Sequence, residues 1–158
     1  MNLTENVSLR ELIKSESAIR FGLSNDPTEE IIKNLQNLAT NILQPVRNHY
    51  NQPLIITSGY RSPELCLKIG SSNKSQHTRG QAADFEIGGV ANKDLADWIH
   101  NNLDYDQLIL EFWNESEPNS GWVHCSYKSQ LENRKQYLRA FKVDGQTKYE
   151  PIKAVVPL

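Results

Sequence analysis

The sequence is poor in the features that mark specialised protein classes. Only two cysteines occur in 158 residues, Cys66 and Cys125. Neither a disulfide framework nor a cysteine metal cluster is expected, and both thiols are read as reduced. No stretch approaches the roughly 18 consecutive apolar residues of a membrane span, so no stable membrane insertion is expected. An excess of one charge sign is also missing. Lys and Arg number 17 against 19 Asp and Glu, a formal net charge of −2. That balance argues against a nucleic-acid or anionic-membrane surface. Met1-Asn2-Leu3-Thr4-Glu5-Asn6 has neither the basic start nor the apolar run of a signal peptide. Synthesis in the cytoplasm is therefore expected. Internal repeats and low-complexity segments are absent, and nothing in the sequence speaks to oligomeric state.

What is present is ordinary for a globular chain: 38% hydrophobic and 23% charged residues. The length predicts one domain over residues 1–158. Within it we expect N-terminal helices over 8–50, a sheet over 54–127, and a closing hairpin and tail over 138–158. Ser8 and Glu11 have the spacing of a capping box and predict a short helix. Residues 15–26 read as an extended arm. Asp26-Pro27-Thr28-Glu29 is a helix start, with Asp26 as cap and Pro27 first in the helix. Ile31, Ile32, Leu35, Leu38, Ile42, Leu43 and Val46 then recur at helical spacing. Pro45 predicts a kink or break near Gln44, and the helix should end near Tyr50.

Leu54-Ile55-Ile56-Thr57-Ser58 reads as a buried strand, and Pro63 opens a short helix closed by Gly70. Residues 82–87 alternate as a strand should. Ala83, Phe85 and Ile87 share the apolar face, which sends Asp84 toward a polar cleft. Asn92 reads as the cap of a helix carrying Leu95, Ala96, Trp98, Ile99 and Leu103. Residues 106–113 and 121–127 are further strands, and Asp144-Gly145 marks a hairpin turn. The fold class is α+β, a mostly antiparallel sheet with helices.

The chemistry concentrates in Ser75-Gln76-His77-Thr78-Arg79-Gly80-Gln81-Ala82-Ala83-Asp84 and in Trp122-Val123-His124-Cys125-Ser126. Catalytic zinc usually takes three protein ligands from histidine and carboxylate, plus water. His77, Asp84 and His124 supply that set. Gly80 permits a loop histidine to turn back toward a strand aspartate. Strand parity lets His124 face the cleft while Val123 and Cys125 pack inward. Two histidines and a carboxylate favour zinc, though ligand type alone leaves iron, cobalt and nickel open. His49 and His100 sit on predicted helices and read as surface residues. Tyr105, Trp113 and Trp122 are read as core.

Ser75-x-His77-x-x-Gly80-x-Ala82-x-Asp84 with Trp122-x-His124-x-Ser126 resembles the zinc-binding signature of the M15 peptidases, D-alanyl-D-alanine carboxypeptidases and related phage endolysins. Ser8 to Leu12, Pro45 to Arg47, Thr57 to Ser62 and Asp106 to Glu111 resemble the phage and prophage branch. The resemblance implies the hedgehog-like fold of that group, one Zn2+ per chain, and a peptide substrate from peptidoglycan. It also implies action at the bacterial cell wall, reached through a holin-like pore or from the virion.

Within that resemblance Arg61 suits pairing with a substrate carboxylate, with a structural ion pair as the other reading. Ser58 and Ser75 are candidate donors to substrate or loop caps. Gln76 and Tyr60 are further cleft candidates. Several M15 branches place an acid three residues before the last ligand histidine, where this chain has Gly121. Glu111, a charge between Leu110 and Phe112, is the favoured substitute base; a buried ion pair with Arg61 is the other explanation. A second departure is Cys66, where the family pattern has Asn; it reads as packing. If no acid handles the proton, the chain is a catalytically silent wall-binding or virion structural module.

Overall fold

A computed structural model describes residues 1–72 and 74–153; the end of the expected tail, 154–158, lies outside the described residues. Helix α1 (Leu9–Ile13) starts at the expected capping box. Ser8 Oγ accepts from the Glu11 amide at 3.2 Å, and the Glu11 carboxylate accepts from the Ser8 amide at 2.8 Å. The expected extended arm over 15–26 is instead partly helical: α2 spans Glu16–Phe21. Ser15 caps it through the Ala18 amide, and Gly22 closes it in the left-handed region. Six residues are too few to show a hydrophobic period, so only the caps announce this helix.

Helix α3 (Glu29–Leu38) begins two residues later than expected. Thr28 is the cap, accepting from the Ile31 amide, while Asp26 hydrogen-bonds Ser24. The helix does not break at Pro45. A π-helical turn, Ala39–Leu43, leads straight into α4 (Gln44–Tyr50). The wider turn makes room for a proline that has no N–H to donate. Asn51 ends α4 in the left-handed region.

Six strands form one sheet in the order β1-β2-β4-β3-β5-β6. They are β1 (Leu54–Ser58), β2 (Ala82–Ile87), β3 (Gln107–Glu111), β4 (Trp122–Ser126), β5 (Gln136–Val143) and β6 (Gln146–Pro151). All neighbours are antiparallel except β3 and β5, so the α+β class with a mostly antiparallel sheet holds. Strand β1 was expected to be buried. It is the sheet edge, and Ile55 is 51% exposed. The β5–β6 hairpin turns through Asp144 and Gly145, both at positive φ, as the sequence predicted.

Helices α5 (Pro63–Lys68) and α6 (Asn92–Asn102) complete the chain. One sheet face supplies Phe85, Ile87, Leu108, Leu110, Val123 and Cys125 to the core, against Leu35, Leu38, Ile42 and Leu43 and against Leu95 and Ile99 of α6. Cys66 and Cys125 are both free and buried. Asn92 is not a cap: Ala91 precedes the helix, and buried Asn92 donates to the Glu86 carboxylate and the carbonyls of Ser120 and Gly121. His100 is not a bare surface residue either. It hydrogen-bonds the hydroxyl of buried Tyr105 and stacks on Tyr137, while exposed His49 stacks on Trp98. Among the described residues no helix is long and apolar enough to cross a membrane.

Candidate metal centre

The opposite face of the sheet carries the polar groups. Strand β2 alternates as the sequence predicted, with Ala83, Phe85 and Ile87 in the core and Asp84 turned outward. Asp84 lies directly across from His124 on β4, and His124 lies across from Ile109 on β3. Adjacent antiparallel strands place such partners about 4.5–5.5 Å apart, so an aspartate and a histidine reach the same point in front of the sheet. The other histidine arrives on a 3₁₀ turn, Gln76–Arg79, capped by Ser75. Gly80 ends that turn at φ +70 and returns the chain to β2; a Cβ there would lie 2.9 Å from Ile31.

His77 Nε2 lies 3.4 Å from Asp84 Oδ1, and His124 Nδ1 lies 3.0 Å from the same oxygen. All three donor atoms fall within 4.8 Å of one another. Bonds of about 2.0–2.1 Å in a tetrahedral zinc site put neighbouring ligand atoms roughly 3.3 Å apart. The two measured edges bracket that value, so the donor set fits a small divalent cation in both chemistry and spacing. His77 Nδ1 sits 2.7 Å from the Gly59 carbonyl. A carbonyl only accepts, so Nδ1 carries the proton and Nε2 keeps its lone pair for a ligand bond. Burial pushes the His77 pKa down, toward the neutral ring, outweighing the pull of Asp84. Burial alone would raise Asp84; hydrogen bonds from His124 and His77 and their charges outweigh it and hold the carboxyl well below its usual range.

The centre lies in a cleft of about 480 Å³, whose lining includes Arg61, Ser75, Gln76, Glu111, Trp122 and Arg134. Glu111 pairs with Trp122 in the β3–β4 register and shares the face of His124. No ion pair with Arg61 forms among the described residues, and the Glu111 carboxylate has no hydrogen-bond donor there. Burial pushes its pKa up; the Asp84 charge adds to the rise, while His124 and Arg61 oppose it. Arg61 stands between the metal cleft and a second cavity of about 610 Å³. Its amide donates to the His77 carbonyl at 3.1 Å, and its Nε is buried without a partner.

The other expected residues divide. Ser75 lines the cleft, but its Oγ accepts from the His77 amide, the capping role. Ser58 lines the second cavity together with Tyr60 and is not part of the metal cleft lining. Trp122, read as core, borders the cleft, because its strand parity is that of His124. Gln76 lines the cleft and donates to Asp106 at 3.0 Å. Arg134 and Tyr149 were not anticipated. Both lie in polar, half-exposed sequence with no spacing motif; the one available signal was Asp106, an acid opening an apolar strand, which needs a cation nearby.

A fold of this kind with a histidine–aspartate–histidine centre defines a candidate metallohydrolase. The family model for Peptidase M15 matches residues 5–126, more than half of the chain, and the protein belongs to that family. It is thus a peptidase, with a peptide as substrate. No curated protein matches the chain.

Proposed function

We propose that the protein is a zinc-dependent peptidase that hydrolyses peptide bonds in peptidoglycan stem peptides, as a D-Ala-D-Ala carboxypeptidase or an endopeptidase of endolysin type. The bacterial cell wall is the proposed site of action. The observation that carries the reading is the meeting of His77, Asp84 and His124 in one cleft with the unpaired Glu111 carboxylate. Bound at those three side chains, zinc supplies Lewis acidity, polarising a carbonyl and acidifying water. Glu111 takes the proton of the attacking water and returns it to the leaving amine. Arg61 offers a planar fork to a substrate carboxylate. Gly59 and Ser75 hold His77 in place through its ring and its amide.

Gly121 explains why the base lies on β3. A Cβ at residue 121 would lie 1.9 Å from the Glu111 carbonyl oxygen. No carboxylate can stand at that position without displacing β3. The test uses purified, zinc-loaded protein with peptidoglycan and with peptides ending in D-Ala-D-Ala. Release of amine or D-alanine is expected, lost in Glu111→Gln with zinc retained. Stoichiometric zinc without any hydrolysis would favour the silent wall-binding or virion module, and preference for ordinary L-peptides would move the substrate away from the wall.

A further inference from the structure

Asp106 immediately precedes β3 and is fully buried. Its carboxylate accepts four hydrogen bonds, two at each oxygen. Oδ1 takes the amide and Nε of Arg134, both at 3.0 Å; Oδ2 takes Arg134 Nη2 at 2.8 Å and Gln76 Nε2 at 3.0 Å. That uses every lone-pair site the group has. Asp106 is therefore saturated, whereas Arg134 is not. A guanidinium has five N–H groups. The Nε and Nη2 contacts take two of them, edge-on, and leave the Nη1 edge. The Arg134 side chain is 50% exposed and borders the metal cleft.

Arg134 is thus a cleft-lining cation whose ion pair leaves guanidinium N–H groups unused. Arg61 and Lys74 line the same cleft, so Arg134 is one of three cationic side chains there, and the Asp106 carboxylate offsets its charge from behind.

We propose that Arg134, gripped from behind by Asp106, is a second anion-binding group of the metal cleft, and that the preferred substrate is a peptide with a carboxylate besides the one that pairs with Arg61. The proposal rests on the peptidase reading of the cleft and names its substrate more narrowly. Arg134 lies beyond residues 5–126, the part that matches the family. Its selectivity then belongs to this chain's own closing segment. Gln76 ties it to the metal centre, because Gln76 precedes His77 and shares the Asp106 carboxylate with Arg134.

The test compares synthetic peptides ending in D-Ala-D-Ala, with glutamate or glutamine placed in turn at each of the next upstream positions. Binding is measured by calorimetry to zinc-loaded Glu111→Gln protein, so that no turnover is needed. At one position at least, glutamate should bind about tenfold tighter than glutamine, and added salt should shrink the gap. Arg134→Gln in the same background should erase the preference, so that the glutamate and glutamine peptides bind alike. Arg134→Lys keeps a charge but cannot grip Asp106 and a ligand with one planar group, so it should lose most of the preference. No preference at any position with Arg134 in place overturns the proposal, as does full preference in Arg134→Lys or an equal loss for both peptide series in Arg134→Gln. Failure of the wild-type protein to cleave any peptide would sink the peptidase reading instead and leave this binding comparison readable.

Discussion

Replacing Gly121 by alanine tests how the sheet positions Glu111. Gly121 has φ +67, a conformation that strains any residue with a Cβ by about 1–3 kcal/mol. The added methyl would also lie 1.9 Å from the Glu111 carbonyl oxygen and 2.8 Å from the Phe112 carbonyl carbon. Both are main-chain atoms of the β3 end, so no side chain can swing away, and overpacking of that kind costs a further 1–3 kcal/mol or so. The residue facing the clash, Phe112, is itself at φ 54 and donates its amide to Ala140, which leaves the segment little room to yield. The expected total is about 2–6 kcal/mol, or a fall in Tm of roughly 10 °C near the middle of that range for a chain of this size. Urea unfolding of the zinc-free protein, followed by tryptophan fluorescence, measures it. Activity should fall further than stability requires, because the strand end that shifts carries the base. Gly121→Glu should also fail to restore activity to Glu111→Gln. Unfolding free energy within about 0.5 kcal/mol of wild type, or rescue by Gly121→Glu, would refute the reasoning.

The other expectations concern the ligands, the base and the buried acid. Alanine at His77, Asp84 or His124 should reduce bound zinc, read by elemental analysis after dialysis, to a small fraction of one per chain; retained stoichiometric zinc in His124→Ala would assign the wrong third ligand. Glu111→Gln should lower kcat/KM by about 10²–10⁴-fold with zinc intact. Glu111 acts deprotonated, so wild-type kcat/KM should show an acidic limb, and that limb should vanish in the variant. Arg61→Ala should hurt substrates with a free terminal carboxylate more than amidated ones; equal losses would make Arg61 structural. Burial would raise Asp106, but Arg134 and Gln76 outweigh it and lower its pKa to about 2. A depressed folded pKa adds stability above the unfolded value, lost as pH falls from about 4 through about 2. With the Arg134 end half in solvent we expect about 1–2 kcal/mol over that range, absent in Asp106→Asn, and read by denaturant titration across pH.

The grouping of His77, Asp84 and His124 was legible because these residues sit on elements whose periodicity is local. Alternation along 82–87 and 121–127 fixes which residues face the cleft, and the capped turn at 75–80 depends on neighbours in sequence. The cap of α1, the start of α5 at Pro63 and the Asp144-Gly145 turn were readable for the same reason. What escaped was decided at long range. The exposure of Ile55 follows from β1 being the sheet edge, which no pattern within 54–58 encodes. The π turn at Ala39–Leu43 is a response of the helix to Pro45 against a packed core, where a lone sequence suggests a break. Asn92 looks like a cap until the carbonyls of Ser120 and Gly121 come within reach of its side chain. His100 looks like a surface residue until the sheet brings Tyr137 beneath its ring.

The same distinction separates the two halves of the cleft. Everything that would hold the metal or move a proton lies between Arg61 and His124, inside the segment that matches the family. Arg134 and Tyr149 reach the cleft only because β5 pairs in parallel with β3 and β6 folds back on β5. That hairpin cannot be regarded as a detachable addition. Without it β3 would be an open edge, with Leu108 and Leu110 beside unpaired backbone groups. Tyr137 anchors it, buried, with its hydroxyl donating to the Asp97 carboxylate at 2.7 Å. The strand that closes the sheet therefore also fixes the position of the residues just before it. Arg134 is held at the rim of the metal cleft by two constraints, the Asp106 carboxylate and the start of β5 two residues on. A cation restrained in this way loses little side-chain entropy when it meets an anion, which is the physical basis for expecting selectivity from Arg134 where a free surface arginine would add almost none.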